Sequence, residues 1–248
     1  LESQKAYSTF LKLFEQLSYR HSYGDTFNNF LDFALWMLNP VKNEDTSKAV
    51  VRLDEIYTAD EGKIMAQLFE NWSIAADNDG AGFHDALGDL FQDLVSHGRN
   101  GQYFTPQPVC DMMAELVYSG ELENGKTVCD CACGSGRMLL AMAKMNRNLK
   151  FYGADNDGTC CKMATLNMIV NSMQGEIAQM NSSTVEHDRS WHIRRVLNGS
   201  HYMPYYYVTG KNTTSFIQRH RQQLEDSKVI PPKSGEYKAD KNGQLLIF

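Results

Sequence analysis

Seven residues, Asp130-Cys131-Ala132-Cys133-Gly134-Ser135-Gly136, constrain this chain more than any other segment. They lie between a β-rich run at 126–131 and an apolar helical stripe from Arg137 to Asn146. Closely spaced glycines at such a junction let the backbone approach a ligand closely. Downstream the spacing predicts a strand at Lys150–Asp155, a helix at Gly158–Ser172 and a strand at Glu176–Met180. Strand, helix, strand, helix, strand is the pattern of an α/β fold with a parallel sheet, which takes ligands at the carboxyl ends of its first strands. A dinucleotide fingerprint asks for a third glycine at position 139, where Leu139 stands. Asp155 closes the second strand, 19 residues past Gly136, where an acid can hold both hydroxyls of a ribose. The pattern implies a nucleoside-bearing ligand without a pyrophosphate. A plain tight turn followed by a capping acid is the alternative.

The rest of the 248 residues divide around this unit. Residues 1 to about 98 show helical stripes only, among them Phe10, Leu13, Phe14 and Leu17, then Phe27, Phe30, Leu31 and Ala34. Asn39-Pro40 stops the second stripe, a third helix is expected near Lys48–Tyr57, and a fourth begins at Asp60. A fifth carries Phe83 to Leu94 and ends near His97-Gly98. The expected organisation is a helical bundle over 1–98 and the α/β domain over 99–248. Past residue 183, strands are expected at Trp191–Leu197 and Tyr202–Thr209, a helix at Thr214–Asp226, and an extended tail over the last twenty residues.

The net charge of −6 argues against a simple basic nucleic-acid-binding domain, but it conceals a split. Residues 1–186 hold 14 basic and 25 acidic side chains, whereas residues 187–248 hold 10 and 5. A basic back half is either a solvated surface or a polyanion contact. No apolar run is long enough for a membrane span, and no signal peptide is evident. Six cysteines, at 110, 129, 131, 133, 160 and 161, lack zinc spacing and read as small buried residues of a reduced, cytoplasmic protein, with no metal expected.

The residues from Asp130 to Gly136 resemble the D-P-A-C-G-S-G motif of S-adenosylmethionine-dependent N6-adenine DNA methyltransferases, with Cys131 in place of the proline. Gly101-Gln102-Tyr103-Phe104-Thr105-Pro106 resembles the segment that precedes the motif in that family. Tyr152-Gly153-Ala154-Asp155 resembles its Y-G-x-E, and Cys161 to Met168 its following helix. The likeness covers about residues 80–183 and is nearest to modification subunits of type I restriction systems and methylase-like proteins of mobile elements. It implies a Rossmann-like methyltransferase sheet. It also implies roles: Asp130, Ala132, Gly134 and Gly136 around the methionine part of the cofactor, with Tyr103, Phe104, Thr105 and Pro106 closing over that end. Asp155 is implied to bind the ribose, and Asn181 to stand where the family places a Gly-Asp pair for the adenine. Tyr103 and Phe104 can equally be core aromatics.

The family's catalytic motif, [N/D/S]-P-P-[Y/F/W] after the fourth strand, does not occur in this sequence. Its amide or carboxylate and a backbone carbonyl accept the hydrogens of the adenine amine, and its aromatic ring stacks on the flipped base. The only Pro-Pro pair lies in Ile230-Pro231-Pro232-Lys233, which has neither group. Counting strands places the motif around 195–215, where Pro204 and Tyr205 are the weak candidates for a carbonyl and a stacking ring. A plain aromatic strand over Tyr202–Tyr207 is the alternative. DNA contact is expected from the basic back half, with Arg194, Arg195, Arg219 and Arg221 foremost and Arg189, Lys211 and Lys228 beside them. Three readings follow: an adenine-N6 methyltransferase working with a separate specificity or restriction subunit, a non-catalytic cofactor- or DNA-binding module, or a methyltransferase for another substrate.

Overall fold

The computed structural model describes residues 1–40, 44–96, 103–118, 123–226 and 245–247. They form two compact units, Leu1–Phe104 with Ile169–Asn171, and Thr105–Met168 with Ser172–Phe248. The expected boundary at residue 98, the helix end near His97-Gly98, Gly101-Gln102 and the Pro231-Pro232 pair lie outside the described residues.

The first unit is helical: α1 (Glu2–Ser18), α2 (Tyr23–Leu38), α3 (Glu44–Ile56), α4 (Ala59–Asp77) and the short α5 (Ala86–Leu90), which continues as a π turn, Phe91–Ser96. The i, i+4, i+7 stripe of Phe10, Phe14 and Leu17 is buried, as are Phe27, Phe30, Leu68 and Trp72. Phe30 meets Trp72 edge to face at 6.0 Å. Thr58 and Glu61 form a reciprocal capping box that starts α4.

The second unit begins with α6 (Gln107–Val117), then β1 (Thr127–Asp130), α7 (Arg137–Met145), β2 (Lys150–Asp155), α8 (Gly158–Val170) and β3 (Gln174–Asn181). β4 (Glu186–Asn198), β5 (His201–Gly210), α9 (Phe216–Asp226) and β6 (Leu245–Ile247) complete it. The sheet runs β5-β4-β3-β2-β1-β6. β1, β2, β3 and β6 are parallel, while β4 and β5 form an antiparallel hairpin on the outer side of β3. One sheet face meets α7, since a Cβ on Gly153 would lie 3.1 Å from Leu139 Cδ1. The other face meets α9: Tyr152 stacks on Phe216 at 3.5 Å between centroids, and Ile217 packs on Ala154, Ala178 and Met180.

The β-α-β-α-β run lies where the pattern predicted it. Two features differ. Of the expected extended tail only Leu245–Ile247 is described, and it is not free: it adds a parallel strand to the edge of β1. The strands after residue 183 are longer than expected and pair with each other rather than continuing the parallel order.

Candidate functional site

Asp130 ends β1 opposite Gly153 of β2, and Asp155 lies two residues further along β2. The turn at 131–136 folds back over this edge. Cys133 N donates to Ala154 O at 2.8 Å, Gly134 N to Asp155 Oδ2 at 2.9 Å, and Ala132 N to Asp130 Oδ1 at 3.1 Å. Gly136 has φ 89°, and a Cβ there would stand 3.3 Å from Ala164 Cβ. A glycine at this position therefore both makes the turn and admits α8 against it. Asn167 of α8 holds the turn from beneath, its Nδ2 donating to Ser135 O at 2.9 Å. Gly136 also opens α7, whose first turn carries the positive end of the helix dipole.

The two acids share an electrostatic condition. Asp130 is 6% exposed, and burial, with the nearby Asp155 charge adding to it, pushes its carboxyl up to about 6 despite the Ala132 N–H. Burial also raises Asp155, against the opposing pull of N–H groups from Asp157 and Gly134. Such a pair favours a ligand that brings positive charge. Asp155 Oδ1 accepts from Asp157 N at 2.9 Å, and the Asn156 N–H also acts on the carboxylate, whose four lone-pair sites still leave room for a hydroxyl.

The remaining expected residues are distributed as follows. Ala132 sits in the turn itself. Thr105 and Pro106 are exposed at the start of α6, where Pro106 caps the helix, and Asp111 ties α6 to Lys144 of α7 at 2.8 Å. Tyr103 and Phe104 belong to the helical unit: Tyr103 is 78% exposed, and Phe104 stacks on Phe91 at 5.7 Å. The Asn181 side-chain oxygen accepts from Ser183 N and Thr184 N, at 3.0 and 3.2 Å, which leaves its amide hydrogens as the part able to meet a ligand.

Pro204 and Tyr205 are placed elsewhere. Gly210 of β5 pairs with Arg189, Arg189 with Gln179, and Gln179 with Asp155, so the end of β5 is level with the site. Pro204 lies six residues earlier, roughly 20 Å down the strand, at the opposite end of the sheet. β4, β3 and β2 also stand between β5 and β1, about 19 Å across the sheet. Counting strands along the chain misplaced the expected motif, because the fourth and fifth strands extend the β3 side rather than the β1 side. The strand beside β1 is β6, and Ile247 pairs with Asp130.

The four arginines also separate. Arg194 and Arg195 lie at the far end of the hairpin; Arg194 Nη1 donates to Gly175 O at 3.0 Å, and Arg195 rests on the Tyr202 ring at 5.5 Å. Arg219 pairs with buried Glu176 at 3.6 Å. Arg221 Nη1 donates to Ser182 O at 3.5 Å, while Ser182 Oγ donates to Cys131 O at 2.5 Å, so Arg221 lies on the same sheet edge as the Asp130–Gly136 turn. Sequence reasoning missed Ser182 and Asn167. The signal for Asn167 is an amide inside the mostly apolar run from Met163 to Ile169, whose other polar residue is Thr165.

Among the described residues no helix is long and apolar enough to cross a membrane. Five cysteines are buried, and Cys131 is half-buried. A family model described as N-6 DNA Methylase matches residues 83–235. The MpnII type I restriction enzyme methylase subunit of Mycoplasma pneumoniae is 31% identical over 100 residues, covering 36% of this chain and 18% of that protein. The HindI type I methylase subunit of Haemophilus influenzae is 28% identical over 118 residues, covering 42% and 25%. The matches thus span a quarter or less of these relatives' length. The crystal structure of a type I restriction-modification methyltransferase subunit from Streptococcus thermophilus covers 69% of this chain and 56% of its own, at 17% identity and a TM-score of 0.38. With the family model spanning more than half of its residues, the chain belongs to the N-6 DNA methylase family.

Proposed function

We propose that this chain binds S-adenosylmethionine at the carboxyl edge of β1 and β2 and acts as the cofactor-holding part of an adenine-N6 DNA methylase. One observation carries the reading: the Gly134 N–H bonded to Asp155, with Gly136 at φ 89° and close against α8, makes a turn that favours glycine, beside buried Asp130 and half-buried Asp155. Asp155 would accept the ribose hydroxyls. Asp130 would face the cationic methionine end, and the first turn of α7 its carboxylate. Asn181 would donate to the adenine. Thr105 and Pro106 would cover the methionine end, to which the family resemblance also assigns Tyr103 and Phe104. Bound there, the cofactor supplies an electrophilic sulfonium methyl.

The sequence contains no [N/D/S]-P-P-[Y/F/W], so methyl transfer by this chain alone is expected to be weak or absent. The family description, N-6 DNA Methylase, supports DNA as a partner, and the relatives' names, methylase subunits of type I restriction enzymes, support a further subunit, which would supply specificity or restriction. The six free thiols suit the cytoplasm. Calorimetry with S-adenosylmethionine tests the reading. Saturable binding that is lost in Asp155→Ala is expected, and retention of tight binding in that variant would refute the ribose assignment. Robust transfer of a radiolabelled methyl group to mixed-sequence DNA would overturn the expectation of weak activity.

A further inference from the structure

An open groove of about 620 Å³ lies at the corner where the β5–α9 turn meets α9. It is lined by Val185 from the β3–β4 turn, Lys211, Asn212, Thr213 and Thr214 from the β5–α9 turn, and Gln218, Arg221 and Gln222 from α9. Two of these side chains are cationic and none is acidic. The groove occupies the same sheet edge as the candidate cofactor site, since Gly210 is level with Asp155 through three successive strand pairings. It also connects to that site: Arg221 bonds Ser182 O, and Ser182 Oγ bonds Cys131 O, in the turn after Asp130.

We infer that this groove seats the phosphodiester backbone of the nucleic acid offered for methylation, with Lys211 and Arg221 as its cations. The inference rests on the proposed function above and adds the place of contact. A polyanion needs cations beside amides and hydroxyls that donate to phosphate oxygens, which is the composition of this lining. The other basic residues fit less well. Arg219 is held by Glu176, and Arg194 and Arg195 sit at the opposite end of the sheet. Lys211 pairs with Asp188 at 3.2 Å, but its side chain is 75% exposed, a pairing that is weak and exchangeable in water.

The test compares the full chain with Lys211→Gln/Arg221→Gln by fluorescence anisotropy on a labelled DNA duplex of mixed sequence, across a salt series. A charge-matched control, Lys5→Gln/Lys12→Gln, changes net charge equally on α1. Each phosphate contact contributes about 0.9 to the salt slope, so the groove variant should lose about 2 in slope. Between about 50 and 200 mM salt, the parent should then lose roughly tenfold more affinity than the groove variant. Lys211→Arg/Arg221→Lys should restore the slope, and S-adenosylmethionine binding by calorimetry should not change in either variant.

An unchanged slope in the groove variant, with the parent binding duplex, overturns the groove and leaves the methylase reading standing. A slope lost instead in Arg194→Gln/Arg195→Gln moves the phosphate track to the hairpin and likewise overturns it. A parent chain that binds the cofactor but no duplex overturns both the groove and the DNA part of the proposed function. If free inorganic phosphate or a mononucleotide binds in a Lys211- and Arg221-dependent way while duplex binding is unaffected by the substitutions, the groove is a small-anion site and the inference fails.

Discussion

Replacing Asp130 with Asn should stabilise the α/β unit and, under the proposed function, remove S-adenosylmethionine binding. The native carboxyl is raised to about 6 because it is buried beside Asp155. An unfolded aspartate releases its proton near 3.9. Between about pH 4 and pH 6 the folded protein therefore binds more protons than the unfolded chain, and stability falls as pH rises through that window. Above about pH 6 the ionised Asp130 opposes folding by a constant amount, roughly 3 kcal/mol at about 1.36 kcal/mol per pH unit. The substitution keeps the shape of the side chain, and the amide oxygen of the variant can still accept the Ala132 N–H at the 3.1 Å position. Allowing for the buried amide hydrogens, Asp130→Asn should gain about 2 kcal/mol at pH 7.5 and nothing near pH 4. Hydrogen exchange of peptides covering β2 and β3, in urea and at several pH values, reads this unit apart from the helical one. A variant no more stable at pH 7.5, or a gain independent of pH, would refute the assignment of a buried, destabilised carboxylate. The same raised acid makes a second signature in the native chain. Pairing with a cationic ligand favours ionised Asp130, so cofactor binding near pH 6 should release a proton, visible as a buffer-dependent calorimetric heat.

Three further substitutions test the packing that builds the site, and a fourth tests the helical unit. Gly136→Ala places a side chain at φ 89° and 3.3 Å from Ala164 Cβ, and should cost about 2 kcal/mol in thermal or denaturant unfolding; a neutral result would show that α8 retreats freely. Gly175→Ala would put its Cβ 1.6 Å from Phe151 O, a backbone atom that cannot yield, so the β2–β3 pairing should fail and the protein should be recovered insoluble. Gly153→Ala meets Ile177 Cδ1 at 2.8 Å and Cys133 Sγ at 2.9 Å, both side-chain ends, and soluble, folded protein is expected for this change alone. Thr58→Ala removes the hydroxyl half of the capping box of α4 and should lower the stability of the helical unit by about 1 kcal/mol, with cofactor binding unaffected.

The turn, its two acids and the strands that carry them were legible because each depends on residues close in sequence. A strand must end where glycines permit positive φ, and the acid of the next strand follows after one helix of fixed length. The tethers were not legible for the opposite reason. Asn167 reaches Ser135 across 32 positions, and Ser182 reaches Cys131 across 51, contacts that only strand order creates. Buried Glu176 looks from sequence like a solvent-facing strand residue. It is held by Ser190 Oγ at 2.8 Å, by the Phe216 N–H at 3.0 Å and by Arg219, groups brought together by the hairpin and α9.

The misplaced catalytic segment was only partly legible in the sequence, since its placement also needs the strand order β5-β4-β3-β2-β1-β6. Asn198-Gly199 stands between two β-rich runs, and in the structure Asn198 pairs with His201 around the two-residue turn Gly199-Ser200, with φ 62° at the glycine. Asn-Gly in that setting signals a tight hairpin, and a hairpin forces its strands to be antiparallel neighbours. A strand that turns straight back on itself cannot be the parallel strand beside β1, which needs a crossover to reach that edge. Together with the antiparallel pairing of β4 on β3, which turns the hairpin tip away from the end of β2, the hairpin signal places Pro204 and Tyr205 far from the Asp130–Gly136 turn. The β1-side position belongs instead to β6, the next described strand after α9, whose Ile247 pairs with Asp130.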